Sequence, residues 1–315
     1  MSKNFAVIGV GGYVAPRHLK AIKETGNKII AAVDPCDSVG VLDSFADDVS
    51  FFVEFERFDR HVEKLRRMGA DKRVNYVSIC SPNYLHDAHV RFALRVNADA
   101  ICEKPMVLNP WNIDALNELE QESGRKVYTV LQLRVHPKLI ALREKLLKDP
   151  DKIHEVELTY ITSRGRWYLV SWKGQIERSG GIATNIGIHF FDLLIWLFGD
   201  VKHSEVHTGE PTKSAGYIEL ERARVKWMLS IDRSDLPEVA VKEGKPTYRS
   251  ITIDGNEVEF SGGFTDLHTV VYQDILNGGG FGLEDARPSI TLAHSIRNAK
   301  AIGINENSHP FLLKK

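Results

Sequence analysis

Between Phe5 and Leu131, short apolar runs recur, each closed by turn residues and most followed by a stretch with helical spacing. Phe5–Val10 (FAVIGV), Lys28–Val33, Asn75–Cys80, Ala98–Cys102 and Val127–Leu131 read as strands. His18–Glu24, Arg60–Met68, His86–Val96 and Asn112–Ser123 read as helices. Apolar runs this short, without polar alternation, suit strands covered on both faces. The alternation predicts an α/β fold: a doubly wound parallel sheet with helices on both sides.

From about residue 153 the texture changes. Val156, Leu158 and Tyr160 alternate with Glu155, Glu157 and Thr159, and the stretch from Arg222 to Ile231 alternates in the same way. Such a period of two predicts a sheet with one wet or ligand-facing side, usually antiparallel. Asp254-Gly255 reads as a hairpin turn between Ile251–Ile253 and Val258–Phe260. Helices are expected over Ala183–Phe198 and about Arg287–Ile302. The chain divides into a dinucleotide-binding domain at 1–130 and an α+β domain at 131–315 with a mostly antiparallel open sheet.

Charge excludes one class of partner. The 315 residues carry 41 basic and 42 acidic side chains, net −1, so no global footprint for nucleic acid is present. Three cysteines, Cys36, Cys80 and Cys102, are too sparse for a disulfide framework and fit reduced thiols in the cytoplasm. The N-terminal residues lack a secretory pattern. The most apolar stretch, Ile186–Phe198, reads as too short to span a bilayer, so no membrane association is expected.

Gly9, Gly11 and Gly12, with Tyr13 and Val14, join the first strand to the first helix. Glycines there let the backbone approach a pyrophosphate, and the helix N-terminus offers unpaired N–H groups. Val14 stands where a strict G-x-G-x-x-G has its third glycine, which makes Gly12 and Ala15 the close-contact positions. Asp34 ends the second strand, placed to accept from a ribose diol and to repel a 2′-phosphate, favouring NAD over NADP.

Lys104 lies at the carboxyl end of a parallel strand, where open α/β sheets bind ligands. Beside Glu103 it also reads as half of a surface ion pair. Ser81, Pro82, Asn83 and His86 fall at the same edge and, with Glu103 and Lys104, are candidate cofactor contacts. Asn185 and His189 are four apart on an apolar helix and share a face; a histidine there also reads as a core residue. Gly180-Gly181 before them form a permissive loop. Arg164, Arg166 and Lys173 are interleaved with Trp167, Tyr168 and Trp172. That set suits the carboxylate, phosphates and flat rings of a nucleotide sugar, and equally a surface loop or subunit contact. No metal site is expected: His86/His89 and His203/His207 lack a third ligand of fitting spacing.

Ser81-Pro82-Asn83, then His86, Ala93-Leu94 and Glu103-Lys104-Pro105, resemble the signature of the Gfo/Idh/MocA oxidoreductase family, and the Gly279–Ala299 tail fits its closing segment. The resemblance implies an N-terminal Rossmann domain, a C-terminal α+β domain whose open sheet forms subunit contacts, and assembly as a homo-oligomer, expected to be a tetramer. It makes Lys104 and His189, with Asn185, the catalytic group. Within the family, VGGYVAPRHLKAI, FFVEFERFDRH, EKPMVLNPWNIDAL and GFGLEDARP resemble the branch that oxidises the C3 hydroxyl of UDP-N-acetyl-D-glucosaminuronic acid with NAD⁺. That branch serves the synthesis of diacetamido-uronic acids for lipopolysaccharide O-antigen, with 2-oxoglutarate as possible oxidant of bound NADH. Other readings are a different sugar or cyclitol dehydrogenase of the family, or a non-catalytic dinucleotide-sensing regulator.

Overall fold

The computed structural model describes residues 2–258 and 266–313. The first elements are β1 (Asn4–Ile8), α1 (Ala15–Glu24), β2 (Lys28–Val33), β3 (Ser50–Phe52), α2 (Phe55–Arg67), β4 (Tyr76–Ile79), α3 (His86–Arg95), β5 (Asp99–Cys102), α4 (Trp111–Ser123) and β6 (Val127–Thr129). There follow α5 (Pro137–Leu146), β7 (His154–Thr162), α6 (Trp167–Val170), α7 (Ile176–Ser179), α8 (Ile188–Phe198), β8 (Val201–Gly209), β9 (Lys213–Leu220) and β10 (Ala223–Ser230). The chain continues through α9 (Glu238–Lys242), β11 (Thr247–Ile253), β12 (Asn256–Glu257), α10 (Leu267–Leu276), α11 (Leu283–Asn298) and α12 (Pro310–Leu313).

Two compact units result: Met1–Val135 with Gly263–Arg287, and His136–Gly262 with Pro288–Lys315. Texture alone divides 1–130 from 131–315 as two contiguous stretches. The structural division is discontinuous, because Val271, Tyr272 and Ile275 of α10 are buried in the same core as Phe5, Leu19 and Ile22. Nothing local in residues 267–276 announces that destination.

In the first unit, among the described residues, six strands run in the order β3-β2-β1-β4-β5-β6, every neighbouring pair parallel. This is the doubly wound Rossmann order, and its direction reverses between β1 and β4. Phe5, Val7, Ile29, Val77 and Ile101 are buried, as the apolar runs require. α1 turns Leu19 and Ile22 onto the sheet, each burial stabilising by about 1.5–3 kcal/mol. Two features depart from the sequence reading. β3 lies in a stretch that carries no strand signal, and it is only three residues long. α2 starts at Phe55 rather than Arg60, because Phe55 and Phe58 pack on Phe92 with ring centroids 5.2 and 5.4 Å apart.

The second unit holds a sheet ordered β12-β11-β7-β10-β9-β8. β7 and β10 are parallel and the remaining pairs antiparallel, so the open sheet is mixed though mostly antiparallel. Trp227 of β10 is fully buried, with Phe191 of α8 edge-on to it at 5.4 Å. Asp254 and Gly255 take φ of 50° and 77° and join β11 to β12, as the hairpin signal requires; Glu259 and Phe260 lie outside the described residues.

The apolar helix is longer than its sequence suggests. The helical run Ile176–Phe198 spans 23 residues with mean hydropathy 1.5, enough by length and composition to cross a membrane. Burial covers 78% of its apolar window, so it is the core helix of this unit. Ala183–Gly187 within it form a π turn. A Cβ on Gly187 would lie 2.6 Å from Leu229 Cδ1 and 2.9 Å from Phe191 Cε2, so a larger residue would make these side chains shift. The closing helix starts at Leu283, four residues before the expected Arg287, with Pro288 inside it.

Candidate active site

The turn after β1 is built for close approach. Gly9 has φ +81°, and a Cβ there would sit 2.7 Å from the Cys80 carbonyl carbon and the Ser81 nitrogen. Its N–H donates to the Val33 carbonyl at 2.8 Å, which ties the turn to the end of β2. Gly11 N–H donates to Asp34 Oδ2 and Cys36 N–H to Asp34 Oδ1, both at 2.9 Å. The buried Asp34 carboxylate is thus held in one orientation. α1 begins with no acid in its first turn; the N–H groups of Ala15 and Arg17 donate to the carbonyls of Gly12 and Val14 and Pro16 has none, so the helix start favours an anion through its dipole. Tyr13, at the same turn, is exposed, with the Arg17 guanidinium 5.7 Å from its ring centroid. These residues fit a dinucleotide: a cradle that a Cβ would fill, the positive end of a helix and an oriented acceptor.

At the carboxyl ends of β4 and β5 the sequence candidates separate by role. His86 is buried; its Nδ1 and Nε2 lie 2.7 Å from the carbonyls of Pro105 and Ser81. It fastens the Ser81-Pro82-Asn83 loop to the Glu103-Lys104-Pro105 loop and has no ring nitrogen left for a ligand. Any contact with a cofactor would therefore be through the ring face or edge rather than a ring nitrogen. Ser81 Oγ bonds His89 Nδ1 at 2.8 Å, and Asn83 is buried. Lys104 is half-buried. Burial holds its ammonium below the usual lysine range; Glu103 opposes that shift and Arg17 adds to it.

Glu103 is not a surface partner. His18 Nε2 and His268 Nε2 lie 3.0 and 2.9 Å from its Oε1, and Lys104 N–H donates to Oε2 at 3.1 Å. His18 Nδ1 lies 2.7 Å from the Tyr272 hydroxyl, which lies 2.6 Å from Ser78 Oγ. Burial alone would raise the Glu103 pKa; hydrogen bonds from both histidines keep it well below the usual carboxylate range. Burial depresses His18, against the pull of Glu103. Cys102 is fully buried, and burial pushes its thiol pKa well up, so it is no nucleophile.

In the second unit, Asn185 belongs to the π turn and His189 to α8. From Ile182 to Ile195 these two positions alone keep partial exposure. A π turn at such a place is a frequent mark of a functional site. Asn185 Nδ2 donates to the Tyr168 hydroxyl at 2.5 Å. Tyr168 is buried, and burial raises its phenol pKa. Lys173 Nζ stands 4.4 Å from the Trp172 ring centroid and 5.7 Å from that of Trp167. Burial, then Arg164, lowers the Lys173 pKa. Tyr168 and Lys173 line a cleft of about 450 Å³, together with Gly180, Gly181, Ser214 and Arg297. Arg164, Arg166 and Trp167 are exposed and do not line it.

Sequence reasoning missed His18, His268 and Tyr272, which surround Glu103, and Arg297 at the cleft. The first three lie up to 254 residues apart, and no local pattern links them.

Residues 3–131 match the model of an oxidoreductase family with an NAD-binding Rossmann fold, and 146–233 match the C-terminal α/β domain of the same family. Over 204 residues, 64% of this chain, the sequence is 28% identical to inositol 2-dehydrogenase of Rhizobium meliloti. The matched stretches span 56% of that enzyme's length and 64% of a second curated relative's, from Amycolatopsis mediterranei. The structure of the WlbA (WbpB) dehydrogenase from Thermus thermophilus in complex with NAD and alpha-ketoglutarate is similar with a TM-score of 0.95 and 55% identity, covering 98% of this chain and 99% of that one. The same dehydrogenase in complex with NAD and UDP-GlcNAcA gives 0.94 and 54% over the same shares.

Proposed function

The chain belongs to the Gfo/Idh/MocA oxidoreductase family, and from that premise we propose that it oxidises the C3 hydroxyl of UDP-N-acetyl-D-glucosaminuronic acid to the 3-keto nucleotide sugar with NAD⁺. One observation carries the reading: near-complete coverage, at 54% identity, of a dehydrogenase crystallised with NAD and UDP-GlcNAcA.

The glycine turn and the start of α1 hold the pyrophosphate, and Asp34 accepts from the ribose diol. NAD⁺ held there supplies the hydride acceptor. Oxidation breaks the C3–H and O–H bonds and forms a C=O; the hydride leaves with its electron pair, and the hydroxyl proton needs a base. Lys104 takes that proton, helped by the burial that weakens its ammonium. In the second unit Asn185 and His189 orient the sugar, and Lys173, Arg164 and Arg166 receive the uronate and the diphosphate. Trp167, Tyr168 and Trp172 give the flat surfaces that cover sugar or uracil.

We further place the enzyme in the cytoplasm, as a homo-oligomer, expected to be a tetramer, in the synthesis of diacetamido-uronic acids for lipopolysaccharide. Three free cysteines support the compartment. Exposed Trp167, Leu169, Val170 and Ile176 support a subunit contact. Because the Thermus thermophilus protein was crystallised with alpha-ketoglutarate, 2-oxoglutarate is proposed as oxidant of bound NADH.

The test is nicotinamide absorbance after mixing protein, NAD⁺ and UDP-N-acetyl-D-glucosaminuronic acid. Reduction is expected, and Lys104→Ala should abolish it. No reduction, or equal turnover of free inositol and of the UDP-sugar, would overturn the proposal. Light scattering tests the oligomer.

A further inference from the structure

The hydrogen bonds around Glu103 run in one consistent direction. An ionised Glu103 only accepts, so a neutral His18 donates Nε2–H to its Oε1, Nδ1 accepts from the Tyr272 O–H, and the Tyr272 oxygen accepts from Ser78 Oγ–H. His268 Nε2–H donates to that same oxygen from α10. The Nε2–H tautomer of each ring satisfies these bonds, so the chain of donors ends on one carboxylate oxygen. The other oxygen accepts the backbone N–H of Lys104. Glu103 is thereby fixed from α1, β4 and α10 at once, and its charge stands one residue from the lysine.

We propose that Glu103, held by His18, His268 and the Tyr272–Ser78 pair, is a positioning residue that fixes the backbone of Lys104 and sets the field at its amine. The inference rests on the role given to Lys104 above. Lys104 is faced by Glu103, by Arg17 on α1 and, more weakly, by His86 on α3. Glu103 itself faces His18, His268, Tyr272, Cys80 and Cys102, of which none carries a competing anion while the thiols and phenol stay protonated. The anion of Glu103 favours the ammonium form of Lys104. Removing it favours the neutral amine, so the rising limb of the pH profile moves to lower pH.

The experiment measures kcat and kcat/KM for the UDP-sugar against pH for the wild type, Glu103→Gln, Tyr272→Phe and Lys104→Ala. The expected result is an acid limb about one pH unit lower in Glu103→Gln. Tyr272→Phe keeps the ring, its packing and the Glu103 charge, so its acid limb should stay where it is in the wild type while kcat falls several-fold as the Glu103 carboxylate loses support; wild-type kcat in Tyr272→Phe overturns the inference if Glu103→Gln does not fold. An unmoved limb in Glu103→Gln, with Lys104→Ala inactive, overturns this inference and leaves the role of Lys104 standing. Full turnover by Lys104→Ala overturns that role, and this inference with it. The ligand-capable atoms of His18, Glu103 and His268 also lie within 4.8 Å of one another. A stoichiometric transition metal in the purified protein, read by atomic emission, would therefore overturn the donor chain, since a metal displaces both Nε2 protons.

Discussion

The backbone N–H of Gly11 and the carboxylate of Asp34 meet at 2.9 Å, across the 23 residues that separate the glycine turn from the end of β2. The turn therefore orients the acid before any ligand arrives. Replacing Asp34 with Ser should weaken NAD⁺ binding about tenfold to a hundredfold, the worth of a charge-assisted hydrogen bond of ~1.5–3 kcal/mol. NADP⁺ should be discriminated against less strongly. Titration calorimetry with both dinucleotides checks this; unchanged NAD⁺ affinity would remove Asp34 from the site.

At Gly9 the cost is structural as well as functional. An alanine must adopt φ +81° and place its methyl 2.7 Å from the backbone at Cys80 and Ser81. Gly9→Ala should lower stability by about 2 kcal/mol or more and lose NAD⁺ binding. Urea unfolding and calorimetry read the two effects separately. A variant of wild-type stability would show that the turn relaxes without penalty.

Tyr168→Phe tests the second unit. The substitution removes the hydroxyl that Asn185 donates to and leaves the buried ring in place. KM for the UDP-sugar should rise several-fold while NAD⁺ affinity stays unchanged, with a stability loss of ~1 kcal/mol. A fall in NAD⁺ affinity instead would contradict the assignment of Asn185 to the sugar.

His89 makes acid stability predictable. Burial lowers its pKa to about 4. The folded value lies below the unfolded value of about 6.5, so the unfolded chain binds more protons between them. The contribution is complete above pH ~6.5 and is lost as pH falls toward ~4, amounting to roughly 3 kcal/mol. Urea midpoints across that interval should fall in the wild type and fall less in His89→Phe. Parallel curves would show that His89 is not the titrating group.

How much of this was legible in the sequence depends on distance along the chain. The glycine turn and Asp34 could be read because a strand, a turn and a second strand end within a few dozen residues carry the whole feature. Lys104 could be placed because strand polarity alone brings it to the ligand edge. The position of His86 at that edge could be read from spacing, while its bonds from both ring nitrogens to the carbonyls of Pro105 and Ser81 depend on tertiary packing. Helical spacing picked out Asn185 and His189, but the π turn between Ala183 and Gly187 has no period of its own in the sequence. His18, His268 and Tyr272 gave no signal, because residues brought together by tertiary packing leave no period in the sequence.

The return of α10 to the first unit sets an order of assembly during synthesis. Residues through Val135 emerge first, yet the segment Gly263–Arg287 that completes their core follows after 127 intervening residues. At translation speeds of about 5–20 residues per second that gap lasts roughly 6–25 s. Throughout it, the apolar surface that Val271, Tyr272 and Ile275 will cover stays open, and Glu103 lacks one of its two imidazole donors. The nascent first unit thus carries an uncovered apolar face until α10 leaves the ribosome, and a chain stopped before residue 267 would lack the residues that cover it.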